Sequence, residues 1–197
     1  MDRLQVVSVL VLLLAGPGCE DTDEEHEPAE EASRVVAVAK KNVQRSPEAF
    51  CDTYAPGEGA KVFEAPPLAD DAALPKGGWR WVNLWATWCK PCIEEMPLLE
   101  EWKAKLAAEG ADVELVFLSV DESAEQVARF REKHPQTPES LRIDSLEALP
   151  EFLAEVGLDE NTPIPVQIFV GSDDAVRCVR AGAVGPDDYS AVKRILL

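Results

Sequence analysis

The chain has 197 residues, room for one domain plus extensions. Its hydrophobic fraction, 46%, is that of an ordinary soluble globular protein. A formal net charge of −18 argues against a nucleic-acid surface. The charge is uneven: Glu20, Asp21, Asp23, Glu24, Glu25, Glu27, Glu30 and Glu31 crowd residues 19–33, which reads as an acidic flexible tether whose plainest role is solvation.

Ahead of the tether, Arg3 precedes an almost wholly apolar run, 6–15, too short to span a bilayer comfortably and suited to the core of a secretory signal. Gly16, Pro17 and Gly18 then lead to Cys19. A cysteine at this place resembles that of a bacterial lipoprotein signal, in which residues 1–18 are removed and Cys19 is lipidated. Plain secretion and an uncleaved anchor are the alternatives. All three carry the rest of the chain out of the cytoplasm, and a lipid anchor would leave the tether as a spacer from the membrane.

Residues 34–59 form an N-terminal extension, with short helical character over 34–50 and Cys51 behind it. The domain proper is expected over 60–197. A strand is expected at 61–65, stopped by Pro66 and Pro67, and a loop at 70–78. Residues 79–86 are aromatic-rich and apolar and read as the central strand. A helix follows over 90–109, with Pro97 inside it and Gly110 after it. A second buried strand covers 113–120. Ser123 and Gln126 open a helix that runs to His134. A short strand at 141–144, a short helix at 146–156, a hairpin of 166–170 with 175–181, and a closing helix over 186–197 complete the order. Strand–helix alternation implies parallel crossovers and the hairpin adds antiparallel strands, so the fold class is α/β, a mixed central sheet with helices on both faces.

The chemistry concentrates where the central strand becomes a helix, at Cys89-Lys90-Pro91-Cys92. A helix start offers free N–H groups and a partial positive charge. Both favour thiolate over thiol, so Cys89 is the candidate nucleophile. Lys90 adds a nearby cation. Cys92 is close enough to close a disulfide on Cys89. The alternatives are a static disulfide or half of a zinc site, but a four-ligand zinc site needs a second pair, and Cys51 and Cys178 are separated singletons.

The element order and the run Asn83-Leu84-Trp85-Ala86-Thr87-Trp88-Cys89-Lys90-Pro91-Cys92-Ile93-Glu94-Glu95-Met96-Pro97 resemble the thioredoxin fold, a three-layer sandwich, and within it the TlpA/ResA/CcmG group. That resemblance implies a thiol–disulfide oxidoreductase of the bacterial cell envelope. Its partners would be exported disulfide-containing proteins, apocytochromes c among them in some members, and a membrane thiol electron donor. No cofactor and no metal are implied.

The resemblance also assigns roles. Pro91 fixes a backbone angle between the cysteines. Trp88 is either an aromatic shoulder for the substrate or core packing. The Ile164-Pro165 bond would be cis and lie beside the cysteine pair, with backbone free to pair with an extended substrate; an ordinary strand-breaking proline is the alternative. Glu95, three residues after Cys92 on the same helix, would take the proton of the buried cysteine, because Asn83 stands where many thioredoxins place an ionisable aspartate. Otherwise Glu95 is a solvated helix-face carboxylate. If Cys19 carries lipid and Cys89 pairs with Cys92, then Cys51 and Cys178 remain. In an oxidising compartment they would pair as a structural staple; two free buried thiols are the alternative.

Three competing readings are weaker. A peroxiredoxin-like peroxidase would want a threonine three residues before its reactive cysteine, where Ala86 stands. A copper chaperone would want three residues between the cysteines and a distant histidine. A tethered binding or chaperone module would use the pair only structurally. The Lys90-Pro91 dipeptide lacks the histidine of strongly oxidising members, which favours a reductant.

Overall fold

The computed structural model describes residues 44–197. The expected signal (1–18), the lipidation site Cys19, the tether (19–33) and the first part of the extension lie outside the described residues.

The described residues build one six-stranded mixed sheet in the spatial order β1, β6, β5, β2, β3, β4. The strands are β1 (Thr53–Tyr54), β2 (Trp79–Trp85), β3 (Val113–Ser119), β4 (Ser140–Arg142), β5 (Val166–Val170) and β6 (Val176–Ala181). β2, β3 and β4 run parallel, joined by crossovers through helices α2 (Lys90–Ala108) and α3 (Ala124–Lys133). β5 pairs antiparallel with β2, and β6 with β5. Helix α1 (Pro47–Phe50) precedes the sheet, α4 (Leu149–Glu155) leads towards β5, and α5 (Tyr189–Leu196) closes the chain.

Every residue of β5 is buried, and every residue of β2 after Trp79. Successive strand side chains point to opposite faces, so both faces of the sheet centre are covered, as a doubly layered α/β fold requires. Trp81 is the hinge of this packing. It stacks on Phe169 of β5, with centroids 5.0 Å apart, and meets Trp102 of α2 at 6.3 Å. Trp102 in turn packs edge-on against Tyr189 of α5. The buried residues of α2 (Cys92, Glu95, Met96, Leu99, Trp102 and Leu106) recur every three or four positions, so one stripe faces the sheet. One of the six is a carboxylate. Pro97 lies within α2 without ending it. Gly110, at φ 95°, turns the chain out of the helix in a conformation that costs a residue with a Cβ.

Most expected elements appear within a residue or two. Ser123 and Gln126 form the capping box at the start of α3. The closing helix begins as a 3-10 turn, Pro186–Asp188, before α5. The expected strand at 61–65 does not form. Val62 makes only an isolated bridge to Ala175. The reason is competition for one edge: Thr53 and Tyr54 already pair with Val179 and Cys178, so residues 61–63 reach β6 only beyond its far end, before Pro66 and Pro67 remove further donors. The sheet thus begins within the N-terminal extension, ahead of residue 60. A disulfide between Cys51 and Cys178 ties that extension to β6. Phe50 packs edge-on against Phe169, and the Arg180 guanidinium lies over its ring.

Candidate active site

The site stands at the carboxyl end of β2, where the parallel strands β2 and β3 present their loops. Two contacts shape the turn into α2. The Cys89 N–H donates to the Ala86 carbonyl at 3.0 Å. Thr87 is gripped by Asp121, just past β3: its N–H lies 3.0 and 3.2 Å from the two carboxylate oxygens and its hydroxyl 2.7 Å from one. Asp121 is buried and also accepts from the Ser119 hydroxyl at 2.8 Å. A buried carboxylate satisfied by three donor groups is a rigid anchor. It fixes the backbone two residues before Cys89.

Cys89 is the N-cap of α2, with Lys90 and Pro91 in its first turn. Cys89 and Cys92 are joined as a disulfide. In this oxidised form Cys92 is fully buried and Cys89 is 4% exposed, less open than expected for an attacking sulfur. The reason is its position: Cys89 Sγ is tied to Cys92 and lies 3.8 Å from the Ile164 carbonyl oxygen. The Ile164-Pro165 peptide is cis. Residues 75 positions apart in sequence therefore meet at the sulfur. The Pro165 carbonyl is already bonded by the Gly182 N–H at 2.8 Å. Trp88 is 68% exposed beside Cys89, so it is no part of the core. Lys90 and Pro91 are exposed as well. The Lys90 ammonium sits 3.6 Å from Glu94 in an exposed i,i+4 pair. Such a pair is weak and salt-screened, so the helix N-terminus is the more direct source of positive potential at Cys89.

Glu95 is buried inside the molecule and fully hydrogen-bonded. Its Oε1 accepts from Asn83 Nδ2 and Gln167 Nε2, both at 2.8 Å, and its Oε2 accepts from the Val184 N–H at 2.8 Å. Gln167 Oε1 is held by Trp81 Nε1 at 2.8 Å and Asn83 Nδ2 at 3.1 Å. The result is one polar chain across β2, β5 and α2 within an apolar core. Burial pushes the Glu95 carboxyl above the usual carboxylate range, and the three donors, with the field of Arg180, pull it only part of the way back. Glu95 thus sets a buried carboxyl of raised pKa one helical turn from Cys92.

Asp121 and Gln167 escaped the sequence reading as site residues. Gln167 had a visible signal: it is the one polar side chain in an otherwise apolar strand, two residues after Pro165. Asp121 could be placed at the end of a buried strand, but its partner Thr87 is 34 residues away. Among the described residues, no group of three or more His, Cys, Asp or Glu side chains could hold a metal ion.

A thioredoxin-like family model matches residues 80–162. The chain is 42% identical over 55 residues to the thiol-disulfide oxidoreductase ResA of Bacillus cereus, covering 28% of this chain and 31% of that one. It is 32% identical over 77 residues to a DsbE homolog, a thiol:disulfide interchange protein of Paracoccus denitrificans, covering 39% and 43%. The match thus spans less than half the length of either relative. A longer alignment, 29% identical over 158 residues, covers 80% of this chain and 77% of the thiol:disulfide interchange protein CycY of Rhizobium leguminosarum. In fold, the chain resembles the crystal structure of the thioredoxin domain of a Bacteroides vulgatus thiol-disulfide oxidoreductase. That likeness has a TM-score of 0.54 at 17% identity and covers 74% of this chain and 100% of that one. The chain therefore carries a thioredoxin-like domain, and its relatives are thiol–disulfide oxidoreductases of the ResA and DsbE type.

Proposed function

We propose that this protein is an extracytoplasmic thiol–disulfide oxidoreductase that works as a reductant of exported proteins. The observation that carries the reading is the juxtaposition at one point of the Cys89–Cys92 disulfide, the start of α2 and the Ile164-Pro165 segment. In the reduced enzyme the Cys89 thiolate, favoured by the helix start, attacks one sulfur of a client disulfide. A mixed disulfide forms and the other client sulfur leaves as a thiolate that takes up a proton. Glu95 then accepts the proton of Cys92. The Cys92 thiolate attacks Cys89 Sγ, closes the disulfide seen here and releases the second client thiol. Two electrons pass from the dithiol to the client, and a membrane thiol donor must return them.

Trp88, Lys90 and Pro91 form the exposed rim of this site, and Ile164 and Pro165 its opposite wall, against which an extended client segment would lie. Cys51 and Cys178 serve as a structural staple. Lipid on Cys19, with residues 19–33 as a spacer, would tether the domain to the outer side of a cell-envelope membrane. Apocytochrome c, whose paired cysteines must be reduced, is one client the reading allows.

Insulin reduction tests the activity. Wild type should accelerate insulin precipitation in the presence of dithiothreitol, and Cys89→Ser should abolish the effect. No acceleration by wild type, together with a Cys89–Cys92 disulfide that dithiothreitol does not open, would leave only a structural role for the pair.

A further inference from the structure

A groove shares Trp88 with the rim of that site, and the chemistry above leaves its α3 side unused. It is lined by Thr87, Trp88, Gln126, Arg129, Phe130 and Lys133. Its floor is aromatic. Phe130 of α3 packs against Trp85 at 6.0 Å and stacks on His134 at 4.4 Å, and Trp88 stands 68% exposed at its edge. Trp88 and Phe130 together offer an aromatic face that an apolar side chain can pack against.

The groove's charge is the unusual part. The protein as a whole carries −18. The seven ion pairs among the described residues use neither Arg129 nor Lys133. Arg131, on the same helix, is paired with Glu139. Arg129 and Lys133 are four residues apart on α3, so they project on the same side of the helix, and that side borders Trp88. Glu125, one turn before Arg129, makes no ion pair with it, although the two charges are close enough to interact. At physiological salt, screening sets in over about 8 Å. A docked segment therefore responds chiefly to the charges that line the groove, Arg129 and Lys133.

We propose that this groove docks the client segment flanking the reactive half-cystine, and that it selects segments carrying an aspartate or glutamate next to an apolar residue. The apolar side chain lies against Trp88 and Phe130, and the carboxylate meets Arg129 and Lys133. The inference rests on the reductase reading for its occupant, but the docking can be measured separately.

The experiment uses two cystine peptides that differ only in carrying Asp or Lys in the flanks, with wild type and the Arg129→Glu/Lys133→Glu variant. Wild type should reduce the acidic peptide faster, and the preference should fade with added salt. Two exposed charge contacts correspond to a preference of roughly three- to tenfold. The variant should lose or invert it while reducing the small uncharged disulfide of 2-mercaptoethanol at the wild-type rate. Equal rates for the two peptides in wild type would overturn the docking proposal and leave the reductase reading standing. So would a fall in the variant's rate with the small disulfide equal to its fall with the acidic peptide. If wild type reduces no disulfide at all, the reductase reading fails. Equilibrium binding of the same peptides with serine for cysteine then decides the groove: tighter binding of the acidic peptide, lost in the variant, supports it, and equal binding overturns it.

Discussion

Replacing Glu95 with glutamine should change the stability of the oxidised protein by an amount that depends on pH in a defined direction. The carboxyl accepts three N–H groups, two on Oε1 and one on Oε2. A glutamine amide can place its oxygen to keep the Asn83 and Gln167 bonds, but its NH2 then confronts the Val184 N–H. One bond is lost and a buried donor is left unpaired, at a cost of about 1–3 kcal/mol. In acid the neutral wild-type carboxyl also carries an O–H donor on the Val184 side, so the cost there lies at the low end of that range. Burial raises the folded-state pKa of Glu95 above that of an ordinary carboxylate. As pH rises through the unfolded-state value, the unfolded chain releases its proton first and the folded chain keeps it. Wild-type stability therefore falls from about pH 4.5 upward until the folded group has ionised, by about 1.4 kcal/mol per unit of raised pKa. The glutamine variant has no such slope at this site. The stability gap between wild type and Glu95→Gln should be widest in acid and narrow as pH rises. Urea unfolding of both oxidised proteins across pH 4 to 8 would measure it. A gap that stays constant would mean that burial does not perturb Glu95, and a gap that widens with pH would mean that its pKa is lowered. The same variant, reduced, should show an altered pH profile of thiol alkylation. An unchanged profile would remove Glu95 from the proton path.

Asp121→Ala should free Thr87 and leave buried donors unpaired, lowering stability by about 2–4 kcal/mol and slowing insulin reduction; denaturant midpoints and turnover together check it, and an unchanged midpoint would refute the anchor. Cys51→Ala/Cys178→Ala removes a bridge across 127 residues and should cost about 2–5 kcal/mol. Because this staple lies away from Cys89, turnover below the unfolding transition should persist, and loss of activity in a still-folded variant would refute its purely structural role.

Local signals carried much of the fold. The apolar run of β2, the helical spacing of α2, the capping box at Ser123 and the hairpin after Pro165 are all written within a few residues of themselves. The redox pair was legible for the same reason, since a strand, two cysteines and a helix are consecutive. Pairings set by competition elsewhere were not legible. Thr53–Tyr54 is too short to show a strand pattern, yet it occupies the edge that residues 61–65 would need. Glu95 showed a related limit. Its place on the helix was readable, but its burial depends on Gln167 and Val184, 72 and 89 residues further along. Lys90 shows the same limit. Its nearness to Cys89 was readable from sequence, but not the exposed pair it makes with Glu94 one turn along the helix.

The central claim is that the Cys89–Cys92 pair is a working reductant, and its reduction potential tests this most directly. The protein would be equilibrated with thiol–disulfide buffers of stepped potential and the fraction of reduced Cys89 read by alkylation and mass shift. The account predicts a reversible two-electron transition at roughly −200 to −300 mV, in the range of thioredoxin and the glutaredoxins. A transition near about −120 mV, the value of a strong oxidant, would reverse the direction of electron flow, and no transition at all would reduce the pair to a structural disulfide.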